Sequence, residues 1–167
     1  MKNSLAYYLD KAKNGDGEAA FRAAKVLQDT HASQVLVQNQ LRKAANEGYI
    51  PAYQWLGLLG ILGELLNPIS SVNHLCFYND FSEGLRWLRQ GVEKGDSVCT
   101  FILAKCYQTG IGVEINSQYA EDMLKSFNYD KLSLDIAVDL LFLFTNLKAH
   151  QVDNHKANES LQILLAS

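Results

Sequence analysis

Three glycines recurring in one pattern constrain this chain more than any other feature of its sequence. The segments AKNGDGEA (12–19), ANEGYIPA (45–52) and VEKGDSVC (92–99) each read small residue, two polar positions, glycine, three variable positions, small residue. Gly15, Gly48 and Gly95 are thereby in phase, and such self-similarity marks a repeat architecture. Before each glycine, apolar residues recur at helical spacing: Tyr7 and Tyr8, Leu41, then Trp87 and Leu88. After it a second helix opens at Ala19, Ala52 or Cys99. Ala23, Leu56 or Leu103 follows four residues on, and Ala24, Gly57 or Ala104 five on. Small side chains let a neighbouring helix approach, and the larger one beside them fills the gap. The predicted unit is a helical hairpin.

The third copy is the fullest, continuing through Tyr107, Gly110, Gly112 and Val113 to a capping region at Asn116 and Ser117, then Ala120, Met123 and Leu124. Its two turn glycines supply the positive dihedral angles that reverse a chain at a helix end. Copy one has no glycine turn and bridges its helices with Thr30, His31 and Ala32. In copy two Gly63 marks the turn, and Gly57 a helix contact. The path from Gly63 to Gly84 is eleven residues longer than the equivalent path from Gly110 to Ala120. This insertion, around 64–79, carries Pro68, His74, Cys76, Phe77 and Tyr78. After it, Asp80 and Glu83 have capping-box spacing. Its aromatic residues either seal a gap between hairpins or, through His74, Phe77 and Tyr78, contact a partner.

The prediction is an all-α fold of about nine helices, near 3–13, 17–29, 33–46, 50–62, 80–94, 97–109, 117–128, 131–147 and 153–166. One domain covers 1–167, a short right-handed α-solenoid of stacked hairpins whose degenerate ends act as caps.

Composition narrows the function classes. A chain of 167 residues that is 48% hydrophobic, with a net charge of -3, can bury enough surface to fold. Its Lys and Arg are not clustered, so nucleic acid is not an expected partner. The apolar stretch from Gly48 to Gly63 is interrupted by Pro51, ended by Glu64 and shorter than the roughly 20 residues of a membrane span. Near the start, Asp10 cuts off the apolar run from Leu5 to Leu9, too short for a signal-peptide core. Three cysteines make no disulfide framework. The expected location is cytoplasmic.

Little in the sequence points to chemistry. Gly110-Ile111-Gly112 lacks the third glycine and preceding strand of a dinucleotide fingerprint. His31, His74, His150 and His155 are scattered, and His74 with Cys76 would need distant help to ligate a metal. Cys99 and Cys106 share a helix face and read as buried thiols. Asp135 and Asp139 also share a face, within ordinary amphipathic alternation. The expectation is no enzyme, no metal and no cofactor.

The third copy resembles the Sel-one-like repeat (SLR), a relative of the tetratricopeptide repeat. Cys99, Leu103, Ala104, Tyr107, Gly110, Gly112, Val113, Ala120 and Met123 follow its order and spacing. The second copy supplies Ala52, Leu56, Gly57, Gly63, Gly84, Trp87 and Gly91, and departs with Gly60 in the tyrosine place. Asp153, Lys156, Ala157 and Leu161 fit the family's second-helix pattern near the carboxyl end. The resemblance implies that the first helix of each hairpin lines a concave face. The outward residues would be Phe21, Lys25 and Gln28 in copy one, Gln54, Leu58 and Ile61 in copy two, and Phe101, Lys105 and Gln108 in copy three. It further implies a protein-binding module, in its sharpest form a bacterial immunity protein that neutralises a cognate toxin. The alternatives are a regulatory adaptor or scaffold and, in another class, a hydrolase using helix carboxylates such as Asp135.

Overall fold

The structure, a computed structural model, describes residues 4–66 and 81–125. Seven α-helices occur among them: α1 (Leu5–Lys13), α2 (Gly17–Asp29), α3 (Gln34–Asn46), α4 (Ile50–Leu66), α5 (Phe81–Glu93), α6 (Ser97–Thr109) and α7 (Ser117–Lys125). The fold is all-helical over these residues. The helices expected at 131–147 and 153–166, and the insertion residues 67–80, lie outside the described residues.

The repeated glycines build the same joint three times. Gly15, Gly48 and Gly95 have φ of 84°, 80° and 76°. In the second joint Gly48 N donates to Ala45 O at 2.9 Å and Tyr49 N to Ala44 O at 3.0 Å. Gly95 and Asp96 repeat this with Val92 and Gly91, both near 2.9 to 3.0 Å. These paired bonds are the Schellman motif, which satisfies the last carbonyls of a helix while the left-handed residue reverses the chain. The bridge expected at Thr30, His31 and Ala32 closes in the same way. His31 takes φ 54°, its N–H donating to Gln28 O, and Ala32 N donates to Leu27 O at 2.9 Å.

The helix after a joint is started by an acid in two of three copies. Asp16 Oδ1 accepts from Ala19 N at 2.9 Å, and Asp96 Oδ1 from Cys99 N at 2.7 Å. Each thereby satisfies an N–H that the helix itself leaves open.

Each helix packs on its successor, and α4 also reaches α6. The core is continuous, from Ala12, Ala20 and Ala24 through Leu41, Ala45, Leu56 and Leu88 to Cys99, Ile102 and Ala120. Between α4 and α5 the backbones nearly touch. A Cβ on Gly84 would lie 3.0 Å from Gly57 O and from Gly60 Cα, and one on Gly57 would overlap Leu88. Gly60, which departs from the tyrosine pattern, is therefore half of a glycine seam. Where copy three has Tyr107, that ring stands edge-on to Tyr119 at 4.9 Å.

Two local expectations are corrected. Gly63 is not a turn, because α4 continues to Leu66. The backbone hydrogen bonds of an apolar helix lying against α5 cost less to extend than to break at a single glycine. Glu83 is more than a capping residue. Its carboxylate, 17% exposed, accepts from Arg42 Nε at 3.1 Å and from Trp87 Nε1 at 3.0 Å, tying α3 to α5. Asp80 lies outside the described residues.

Among the described residues no helix is long and apolar enough to cross a membrane.

A candidate binding face on the second, fourth and sixth helices

Residues spaced four and three apart on a helix share a face, which puts Phe21, Lys25 and Gln28 on one side of α2. The stripe is not uniformly open. Lys25 is exposed and Gln28 half-buried, whereas Phe21 is only 8% exposed. The Phe21 ring is covered by α4 and its approach, 5.2 Å from the Tyr49 ring and 6.1 Å, nearly perpendicular, from Trp55. Lys25 Nζ lies over the Trp55 ring, 5.4 Å from its centre, a cation–π contact on an exposed side chain.

On α4, Gln54 and Leu58 are half-buried, but Ile61 is wholly buried and presents no surface. Its expected outward position is corrected: α4 is apolar all round and packs on α3, α5 and α6, so more than one of its faces is interior. Gln54 Nε2 donates to Asp96 Oδ2 at 3.0 Å, joining α4 to the start of α6. Asp96 therefore holds a helix cap on one oxygen and a neighbouring repeat on the other.

On α6, Phe101 is 6% exposed and belongs to the core rather than the surface. Lys105 and Gln108 are half-buried. Lys105 Nζ lies 5.5 Å from the Phe101 ring centre and donates to Gln108 Oε1 at 2.9 Å. Of the nine residues expected on this face, the structure leaves six with useful surface: Lys25, Gln28, Gln54, Leu58, Lys105 and Gln108. His74, Phe77 and Tyr78 lie outside the described residues.

Two aromatic residues of the face, Tyr49 and Trp55, were not anticipated from the sequence. Trp55 had a signal. It stands three residues after Ala52, where copy one has the exposed Arg22 and copy three the buried Ile102. The position is exposed in one copy and buried in another, and Trp55, half-buried between them, suits it with an apolar ring that carries a polar edge.

A concavity of about 300 Å³ lies between α1 and α2, lined by Tyr7, Tyr8, Lys11, Asp16, Glu18, Ala19 and Arg22. Its charges satisfy one another. Arg22 Nη2 lies 2.7 Å from Glu18 Oε1, which raises the guanidinium pKa, and Lys11 Nζ lies 3.9 Å from Asp16.

The thiols of Cys99 and Cys106 are buried, and burial pushes both pKa values up, that of Cys106 to about 12. For Cys99 the Asp96 carboxylate adds to the effect of burial. A thiol that keeps its proton is a poor nucleophile and metal ligand. Among the described residues, no three His, Cys, Asp or Glu side chains stand together as a metal site. Asp135 and Asp139 lie outside them.

Comparisons with family models, with curated proteins and with solved structures gave no match to this chain.

Proposed function

We propose that this chain is a protein-binding module, a short right-handed α-solenoid of SLR-like hairpins, and that it acts by binding without catalysing a reaction. The supporting observation is the set formed by Lys25, Trp55, Tyr49 and Phe21, in which a half-buried indole lies beneath an exposed ammonium at the junction of two repeats. Rigid aromatic residues with a cation beside them have the composition of interface centres, where tryptophan and tyrosine dominate the binding energy. A helical-repeat scaffold supports this reading further, because a surface built on packed helices loses little freedom on binding.

The finer form of the proposal is a cytoplasmic immunity protein that neutralises a cognate toxin, and it rests on the resemblance to SLR proteins alone. Co-expression with the product of the neighbouring gene tests it. The expected result is protection of the cells and a one-to-one complex by size exclusion. Trp55→Ala should weaken that complex roughly 30-fold, the scale of an interface hot spot. Lys25→Met should weaken it less, with an unchanged melting temperature. A complex that tolerates both substitutions would move the binding surface away from this face. Unprotected cells would remove the immunity form.

A further inference from the structure

We propose that the face over α2, α4 and α6 selects an acidic protein segment whose carboxylates flank an apolar side chain. This rests on the reading of that face as a protein-binding surface.

The first and third repeats present the same three residues in register. Phe21, Lys25 and Gln28 stand two, six and nine positions after Ala19, and Phe101, Lys105 and Gln108 stand equally placed after Cys99. The middle repeat has Leu58 where its neighbours have lysine. Read across successive helices, the face runs lysine, leucine, lysine. α4 lies between the other two helices, touching α2 through the rings of Phe21 and Trp55 and α6 through Gln54 and Asp96.

Charge complementarity names the occupant. The ion pairs among the described residues use Lys11, Arg22, Arg42, Arg86 and Lys125 as their cations. Lys25 and Lys105 are in none of them; each lies over an aromatic ring instead, at 5.4 and 5.5 Å. Asp96, bonded to Gln54 of the face, has both carboxylate oxygens engaged, by Cys99 N and by Gln54 Nε2. Among the described residues the two ammonium groups are thus held over rings, that of Lys105 also by Gln108 Oε1, without a carboxylate, and a partner's carboxylates would meet cations that are already placed.

A random 12-residue peptide library displayed on phage, selected on the full chain, tests the proposal. Enriched peptides are expected to carry Asp or Glu on both sides of an apolar residue. The Lys25→Met, Lys105→Met double variant, which removes both charges and keeps unbranched side chains, should enrich no such sequences. For a purified selected peptide, each Glu→Gln change should weaken binding roughly two- to fivefold, with a loss in high salt. Enrichment of neutral peptides that requires Trp55 would overturn the acidic assignment and leave the module reading standing. Enrichment of nothing would also overturn it, with the module reading then judged by its own complex. Lysine-dependent binding of a single-stranded oligonucleotide in preference to every acidic peptide would overturn it too.

Discussion

Cys99 shows how one residue can serve several contacts. It occupies the crowded opening position of α6, has no exposed surface, and lies so close to α5 that a Cβ on Gly91 would overlap its sulfur. Cys106, two turns later, is equally enclosed. Their raised pKa values carry a stability consequence of definite sign. Above about pH 8.5 an unfolded thiol loses its proton, whereas the folded one keeps it until its higher pKa is reached. The folded state then binds more protons, so stability is unaffected at neutral pH and falls as pH rises, up to about 12 for Cys106. Urea unfolding at about pH 8.5 and pH 10 should differ by about 1.5 kcal/mol for each buried thiol, from the usual factor of about 1.4 kcal/mol per unit integrated through the unfolded thiol's titration. Tyr53, also raised by burial, enters only above its ordinary value of 10.0. The Cys99→Ala, Cys106→Ala double variant should show a much flatter dependence; equal slopes would mean that the thiols are accessible in the fold.

At the scale of the element, α2 and α6 begin alike and are held differently. Asp16 and Asp96 each cap the third residue of their helix, but Asp96 also accepts the Gln54 amide from α4. Among the described residues Asp16 has only Lys11 as a further side-chain partner, at 3.9 Å and well exposed, a contact of small value. Replacing Asp16 by Ala should cost about 1 kcal/mol, the ordinary worth of a cap. Asp96→Ala should cost about 2 kcal/mol, because a half-buried amide loses its acceptor as well. Chemical denaturation of the two variants measures the difference, and equal losses would show that the bond between repeats contributes nothing. The same comparison explains why α4 needs no acid. It has Tyr49 at the capping position, its first turn is closed by Ala52 N donating to Tyr49 O at 3.0 Å, and its stability comes from packing on α3, α5 and α6.

Across the molecule, packing between neighbours sets a gradient. α1 packs on α2, whereas α4 packs on α3, α5 and α6 and meets α5 along the glycine seam. In a repeat stack, stability is close to a sum over such neighbouring interfaces, so the helix with one interface opens at lower cost. Amide hydrogen exchange should therefore be at least about tenfold faster in α1 than in the centre of α4. Equal protection would mean that the described helices open as one unit. The face over α2, α4 and α6 belongs to this scale as well, since Lys25 and Trp55 come from different repeats and Asp96 bonds across a third.

The repeat itself was legible in the amino-acid sequence, because a left-handed backbone angle and a tight helix contact each admit few residues. Gly15, Gly48 and Gly95 could be placed at joints, Gly57 at a contact and the first seven helices within a few residues, all from local chemistry. Where local chemistry left a choice, tertiary packing decided. Gly63 continues α4 instead of ending it, and Glu83 bonds Arg42 from another repeat. The face was legible as a register but not as a surface. Helical periodicity says which residues point the same way, and only the neighbouring helix determines whether that direction is water, as at Lys25, or core, as at Ile61.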